Sequence, residues 1–224
     1  MQGYFSVLGH LFPIGGSNRP LGLNPAATPQ FVNTPGQVAF SPDGKKLIVT
    51  TKANGNDIDV FQVGRDGQLS AAPVVNSEPG TVPFAISFDR AGDLVIAEAG
   101  TNALATFTLN PDGTVSPVES VATGQAATCW VATAGDYFFA SNAGSANLSR
   151  YASTDAGALS LLGTTPTDPG TVDAAVTPGG DFLYVQAGGP GAVDEFQVGS
   201  GGSLTPVGSV IVPGAVGSEG IVAL

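Results

Sequence analysis

The strongest constraint in this chain is a repeat of about 45 residues, marked in three separate registers. Pro-Gly-x-Val occurs four times, beginning at Pro35, Pro79, Pro169 and Pro213, with one copy absent where Thr123-Gly124-Gln125 stands. Aromatics recur at Phe61, Phe107, Tyr151 and Phe196. About six residues beyond each comes Asp66-Gly67, Asp112-Gly113, Ala156-Gly157 and Gly201-Gly202. A period of this length belongs to propellers, solenoids or arrays. The interior of one unit decides among them. In residues 35–78, QVAFSP, KLIVTTK, DIDVFQVG and QLSAAPVV are short runs rich in β-branched and aromatic residues, joined by Asp43-Gly44, Asn54-Gly55 and Asp66-Gly67. Such runs with D-G or N-G between them read as successive β-hairpins. Four antiparallel strands per repeat make one propeller blade. The longest stretch without Gly or Pro runs only from Ser145 to Ala156, so the long apolar stripes of a helical solenoid and a spanning helix of about 20 residues are both excluded.

The expected fold is therefore all-β, a propeller in one domain, 1–224, with blades at about 35–78, 79–124, 125–168 and 169–212. Residues 1–34 hold two strand-like runs, YFSVLG and HLFPIG, followed by a Pro-rich connector. Glu219 to Leu224 reads as a lone first strand. A fifth unit assembled from both termini, 1–34 plus 213–224, would close the ring and remove exposed edges. A ring cut from a larger propeller would instead self-associate through its open edges.

Composition narrows the partners. Seven basic residues face 18 acidic ones, a net charge of −11, and no basic cluster exceeds Lys45-Lys46. Nucleic acid and anionic membrane surfaces need a basic footprint, so neither is an expected partner. The single cysteine, Cys129, pairs with nothing within the chain and does not reveal a compartment. The opening Met1-Gln2-Gly3-Tyr4-Phe5 does not read as a signal peptide. Localisation stays open.

Propeller ligands usually sit where the innermost strands and the turns after the second strands converge. The starts of the innermost strands hold Gln37 and Asp173, with Cys129, Trp130 and Glu219 nearby, and the ends of the second strands hold Thr51, Glu98, Asn142 and Gln186. This set is polar among apolar neighbours and suits a polyol or sugar-like ligand; blade-to-blade hydrogen bonds would satisfy the same groups. Glu98 follows apolar residues, and partial burial would raise its pKa toward the range useful for acid–base work. Asp173 and Glu219 are candidate partners for it around a water. Lys52 offers a cation to an anionic substrate group, and Trp130 a stacking platform; a solvated hairpin lysine and an inter-blade tryptophan are the plainer alternatives. Cys129 has no His partner, so a nucleophilic thiolate is not expected. Asn54-x-Asn56-Asp57-x-Asp59 lacks the glycine and distal Glu of a calcium loop. No metal and no cofactor is expected.

The words SPDGKKLIVT, DVFQVGRDGQLS, FDRAGDLVIAEA, ATCWVAT and VDAAVTPGGDFLYV, in this order, resemble the lactonase-like seven-bladed β-propeller family. That family includes bacterial 6-phosphogluconolactonase and the fungal carboxy-muconate cyclases. The resemblance runs from about Tyr4 to Leu224 and corresponds to roughly the C-terminal two-thirds of the family's length. It implies a site in which Pro-Arg-His and Asn-Glu motifs supply the polar groups. Here the Arg position falls on Gly36, the His position on Gln37 and the Glu position on Lys52. The only histidine, His10, lies in a run that reads as an outer strand. The reading that follows is a degenerate or non-catalytic member that binds a small polar ligand or partner at the central channel. The alternatives are a lactone hydrolase using Glu98, Asp173 and Glu219, and a structural scaffold module. Restoring Gly36→Arg, Gln37→His and Lys52→Glu together is the expected route to a trace of lactonase activity, provided that the channel is closed.

Overall fold

The computed structural model describes residues 1–154 and 156–224. Each full repeat folds as one four-stranded antiparallel sheet whose strands follow chain order. Blade 1 is β3 (Val38–Phe40), β4 (Lys46–Thr50), β5 (Asp57–Gln62) and β6 (Val74–Ser77). Blade 2 is β7 (Pro83–Phe88), β8 (Leu94–Glu98), β9 (Ala103–Leu109) and β10 (Val115–Ala122). Blade 3 is β11 (Thr128–Ala134), β12 (Tyr137–Asn142), β13 (Asn147–Ser153) and β14 (Leu159–Pro166). Blade 4 is β15 (Thr171–Val176), β16 (Phe182–Ala187), β17 (Ala192–Val198) and β18 (Leu204–Ile211). A separate hairpin, β1 (Tyr4–Val7) with β2 (His10–Pro13), precedes them, and a short helix α1 (Gln30–Asn33) interrupts the connector. Among the described residues no helix is long and apolar enough to cross a membrane.

The periodic aromatics are the knobs of the blade seams. Leu94 and Phe107 of blade 2 bury against Ile48, Ile58 and Val60 of blade 1. Phe138 and Tyr151 pack on Val95, Ala97 and Leu104 of blade 2, with the Tyr151 hydroxyl donating to the Val121 carbonyl at 3.0 Å. Leu183 and Phe196 pack on Ala132, Phe139 and Leu148. Each such side chain, moved fully out of water, stabilises by about 1.5–3 kcal/mol. Phe61 has no preceding blade; Met1 and Leu21 of the N-terminal segment cover it together with Leu47 and Val49. Arg19 ties that segment down by donating to the Ser70 and Leu69 carbonyls, both at 2.7 Å.

Two expectations need correction. The termini do not build a shared fifth sheet: β1 and β2 pair only with each other, and residues 213–224 form turns without a strand. Gly214, Gly217 and Gly220 take φ values of 80°, 73° and 104°, which breaks the extended backbone and leaves only Ile221–Leu224 uninterrupted. The chain between β4 and β5 is also not a two-residue turn at Asn54-Gly55. A 3-10 turn spans Lys52–Asn54, and the left-handed positions fall on Lys52 and Asn56. The reason is tertiary: Asn56 Oδ1 accepts the Val82 amide of blade 2 at 3.1 Å, which a tight turn would not reach.

Candidate functional site

The site side chains stand at one end of the blades, where each inner strand begins. In blades 2, 3 and 4 the inner strand carries a register shift there, between Pro83 and Ile86, Thr128 and Trp130, and Thr171 and Ala174. A shift of this kind frees backbone groups from the ladder. The preceding blade reclaims some of them. Gln37 Oε1 accepts the Ile86 amide at 2.6 Å, and Trp130 Nε1 donates to the Ala174 carbonyl at 3.1 Å. In strand register Gln37, Trp130 and Asp173 occupy one repeated position. Asp173 faces the C-terminal segment, where the Gly220 amide acts to lower its pKa.

Most of the polar ring serves the fold. Thr51 is fully buried, and its hydroxyl accepts the Asp57 amide at 2.8 Å. Asn142 is likewise buried, accepting from Thr128 and donating to Asn147 and Ser149 at 2.7 to 2.9 Å. Trp130 packs in two seams at once, a wedge between blades. Gln186 is 7% exposed and its Oε1 has no hydrogen-bond partner.

Three charges remain for chemistry. Lys52 follows β4 with φ 51° and is 5% exposed. Its Nζ donates to the Phe31 carbonyl at 2.8 Å and to Thr34 Oγ1 at 3.2 Å, and lies 3.9 Å from the centre of the Phe84 ring. Burial pushes its pKa down, while Glu219, Cys129 and Asp173 pull it back up. Burial raises Asp173, the Gly220 amide lowers it, and Glu219 raises it further. Burial and the two carboxylates push the Cys129 thiol up to about 12. These groups thus share one electrostatic neighbourhood. Lys52 makes no ion pair within it, since the ion pairs among the described residues are Lys45–Asp43 and Arg90–Asp136 at the surface. Lys52, Asp173 and Glu219 thus act on one another through their charges without forming an ion pair.

Glu98 does not join this group. It is 4% exposed, and its Oε2 accepts from Thr101 at 2.8 Å and Ser120 at 3.3 Å. The charge that acts on it is that of Glu78, and burial is the main cause of its raised pKa. Both glutamates line a separate cleft with Phe107 and Pro117. Among the described residues no group of three or more His, Cys, Asp or Glu is placed to hold a metal. The anchors of Lys52, a carbonyl at Phe31 and the Thr34 hydroxyl, escaped sequence reasoning, because a carbonyl has no residue signature.

The positions of the resembled motif are accounted for one by one. Gln37 is held in a seam and Lys52 under the connector. At Gly36 there is no room for any side chain: a Cβ there would lie 2.5 Å from both the Phe84 carbonyl oxygen and Thr50 Oγ1. An arginine at this position is incompatible with the packing, which overturns the expected triple restoration.

No family model matches the sequence, and no curated protein is similar to it. Solved structures are. A candidate 6-phosphogluconolactonase from Bacteroides fragilis superimposes with a TM-score of 0.71 at 20% identity, over 85% of this chain and 58% of that one. The periplasmic gluconolactonase of Pseudomonas aeruginosa gives 0.68 at 18% identity, over 80% and 57%. Virginiamycin B lyase from Staphylococcus aureus gives 0.57 at 16% identity, over 79% and 55%. The chain thus spans less than two-thirds of the length of these proteins. A fold hosts many chemistries, and at such identities the likeness speaks for architecture. The chain has a β-propeller fold similar to that of these proteins, present here as four blades and a hairpin.

Proposed function

We propose that the protein binds a small, hydroxyl-rich ligand of the sugar-lactone type at the end of the channel, without the hydrolytic groups of the family it resembles. What supports this reading is that Lys52 just beyond β4 and Asp173 at the start of β15 stand at the same end of the blades and feel each other's charge and that of Glu219, while Gln37, Thr51 and Asn142 are held in the fold. A neutral amide at Gln37 takes up no proton near neutral pH, so general-base assistance worth about 10²–10⁴ in rate is missing there. The test is calorimetric titration with δ-gluconolactone together with turnover of 6-phosphogluconolactone. Saturable binding that weakens about tenfold in Asp173→Asn, with turnover at the spontaneous rate, is the expected result. Glu98→Gln should leave that binding within about twofold, because Glu98 lies in another cleft. Binding indifferent to Asp173→Asn would sink the proposal.

A second reading, lactone hydrolysis, draws on one feature. Burial raises the pKa of Asp173, and a carboxylate poised nearer neutrality is a better base. Turnover above the spontaneous rate that is abolished by Asp173→Asn would favour this reading over simple binding.

A further inference from the structure

Residues 14–37 form the longest connection between strands, and α1 is its only regular element. The blades need no such length, and long irregular connections in compact domains are commonly functional. This one arches over a cavity of about 530 Å³. That volume falls in the range of small-molecule sites, roughly 300–1,000 Å³.

The connector is held in place from below by two side chains of the turn between β4 and β5. Asn54 and Asn24 bond reciprocally, Asn54 Nδ2 donating to the Asn24 carbonyl at 2.8 Å and the Asn24 amide donating to Asn54 Oδ1 at 3.1 Å. Asn54 Nδ2 also reaches the Asn33 carbonyl at 2.9 Å, and Lys52 secures the Phe31 carbonyl. The cavity is therefore preformed.

Its chemistry is unlike the rest of the molecule. The chain carries a net charge of −11, yet none of the side chains lining this cavity is ionisable. Leu21, Leu23 and Pro25 supply apolar wall, and Asn24, Gln30 and Asn33 supply carboxamides. Two of the amides are half engaged: Asn24 Oδ1 accepts from Ala26 at 3.0 Å, and Asn33 Nδ2 donates to the Pro29 carbonyl at 2.9 Å. Among the described residues, Asn24 Nδ2 and Asn33 Oδ1 have no protein partner, which leaves one donor and one acceptor on lining residues.

We infer that the cavity beneath the connector is a second binding site, for a small uncharged molecule with an apolar body and an amide-like end that both donates and accepts. An ammonium is excluded, because the one charge on the lining is the Met1 amino group, of the same sign, and transfer of a charge out of water is costly. The site stands apart from the channel ligand and does not depend on it.

The test is titration of the intact protein with N-acetylphenylalaninamide, followed by the side-chain amide resonances of Asn24, Gln30 and Asn33. Saturable shifts of those resonances are expected, with the cation phenylethylammonium at least about tenfold weaker. Leu23→Asp should abolish binding of the neutral probe and Leu23→Met should retain it. If Leu23→Asp fails to fold, Gln30→Ala at an exposed position should still weaken binding about fivefold. Saturating δ-gluconolactone should not displace the probe. Equal affinity for the charged and neutral probes, shifts confined to other residues, or no saturation by about 10 mM, weaker than the roughly millimolar binding expected of a small ligand, would each overturn the inference.

Discussion

A single methyl group at Gly36 tests whether the seam between blades 1 and 2 is as tightly built as the structure shows. The Gly36 amide donates to the Thr50 carbonyl at 2.8 Å, Thr50 Oγ1 donates to the Phe84 carbonyl, and the Gln37 amide donates to Thr50 Oγ1 at 3.0 Å. A Cβ at Gly36 would sit 2.5 Å from two members of this network. Neither is the free end of a flexible side chain. One is backbone, and the other belongs to a fully buried threonine. Overpacking alone costs about 1–3 kcal/mol, and loss of the Thr50–Phe84 hydrogen bond adds about 1–3 kcal/mol. Gly36→Ala should therefore destabilise the protein by about 2–6 kcal/mol, against a typical total of about 5–15 kcal/mol. Equilibrium unfolding in urea, followed by Trp130 fluorescence and by circular dichroism, measures it. Gly15→Ala is the control, since a Cβ there meets nothing within 4 Å. In a Thr50→Ala background one of the two collisions is gone, so the penalty should shrink by about 1 kcal/mol or more. A Gly36→Ala cost no larger than that of the Gly15 control would refute the argument. It would also reopen the possibility of an arginine there.

The carboxylates give a pH dependence of definite sign. Asp59 is 3% exposed with Oδ1 unpartnered, and burial, helped by Asp57, raises its pKa from 3.8 to about 6. The folded state then binds the proton more tightly than the unfolded chain. Asp59's contribution is fully present below about pH 4 and is lost as pH rises through about 6, a cost of up to about 3 kcal/mol at neutrality. Asp59→Asn should flatten that part of the unfolding free energy between pH 4.5 and 7; an unchanged slope would show that Asp59 is not its source. Cys129 should resist dithiobis-nitrobenzoate at pH 8 in the folded protein and react on unfolding, because its thiol pKa is pushed up to about 12. Rapid labelling without loss of structure would contradict that raised pKa.

The blades were legible because the repeat writes the same physics four times. The aromatics Phe107, Tyr151 and Phe196 stand in the sequence because each third strand presents a knob toward the preceding blade, and Phe61 presents the same knob to Met1 and Leu21 of the N-terminal segment. The Asp-Gly pairs mark turns whose geometry is local: Asp43 Oδ1 accepts the Lys45 amide, and Asp66 Oδ1 accepts the Gln68 amide. Local signals of this kind survive any tertiary context. The Asn54-Gly55 pair did not, because Asn54 is recruited by the connector and Asn56 by blade 2. The C-terminal run failed for a related reason. Its alternating apolar residues describe a strand, yet a strand needs a neighbour, and the positive φ values at Gly214, Gly217 and Gly220 turn it away from one.

The site divides along the same line. Polarity at the ends of the second strands was readable; the separation of Glu98 from the charges of Lys52, Asp173 and Glu219 was not. What a single sequence leaves out is direction. Alternation along a strand assigns side chains to two faces, but it does not say which face meets the channel and which meets the neighbouring blade. Glu98 and Lys52 both stand at second-strand ends, yet Glu98 is engaged by Thr101 and Ser120 while Lys52 reaches Phe31 and Thr34. The difference arises from the left-handed residue at Lys52, with φ 51°, which re-aims the chain just beyond β4. A non-glycine residue in that conformation is held there by its surroundings, at a cost of order 1 kcal/mol or more. Here the hydrogen bonds of Nζ and the Phe84 ring hold it, so the strain and the placement of the cation share one cause.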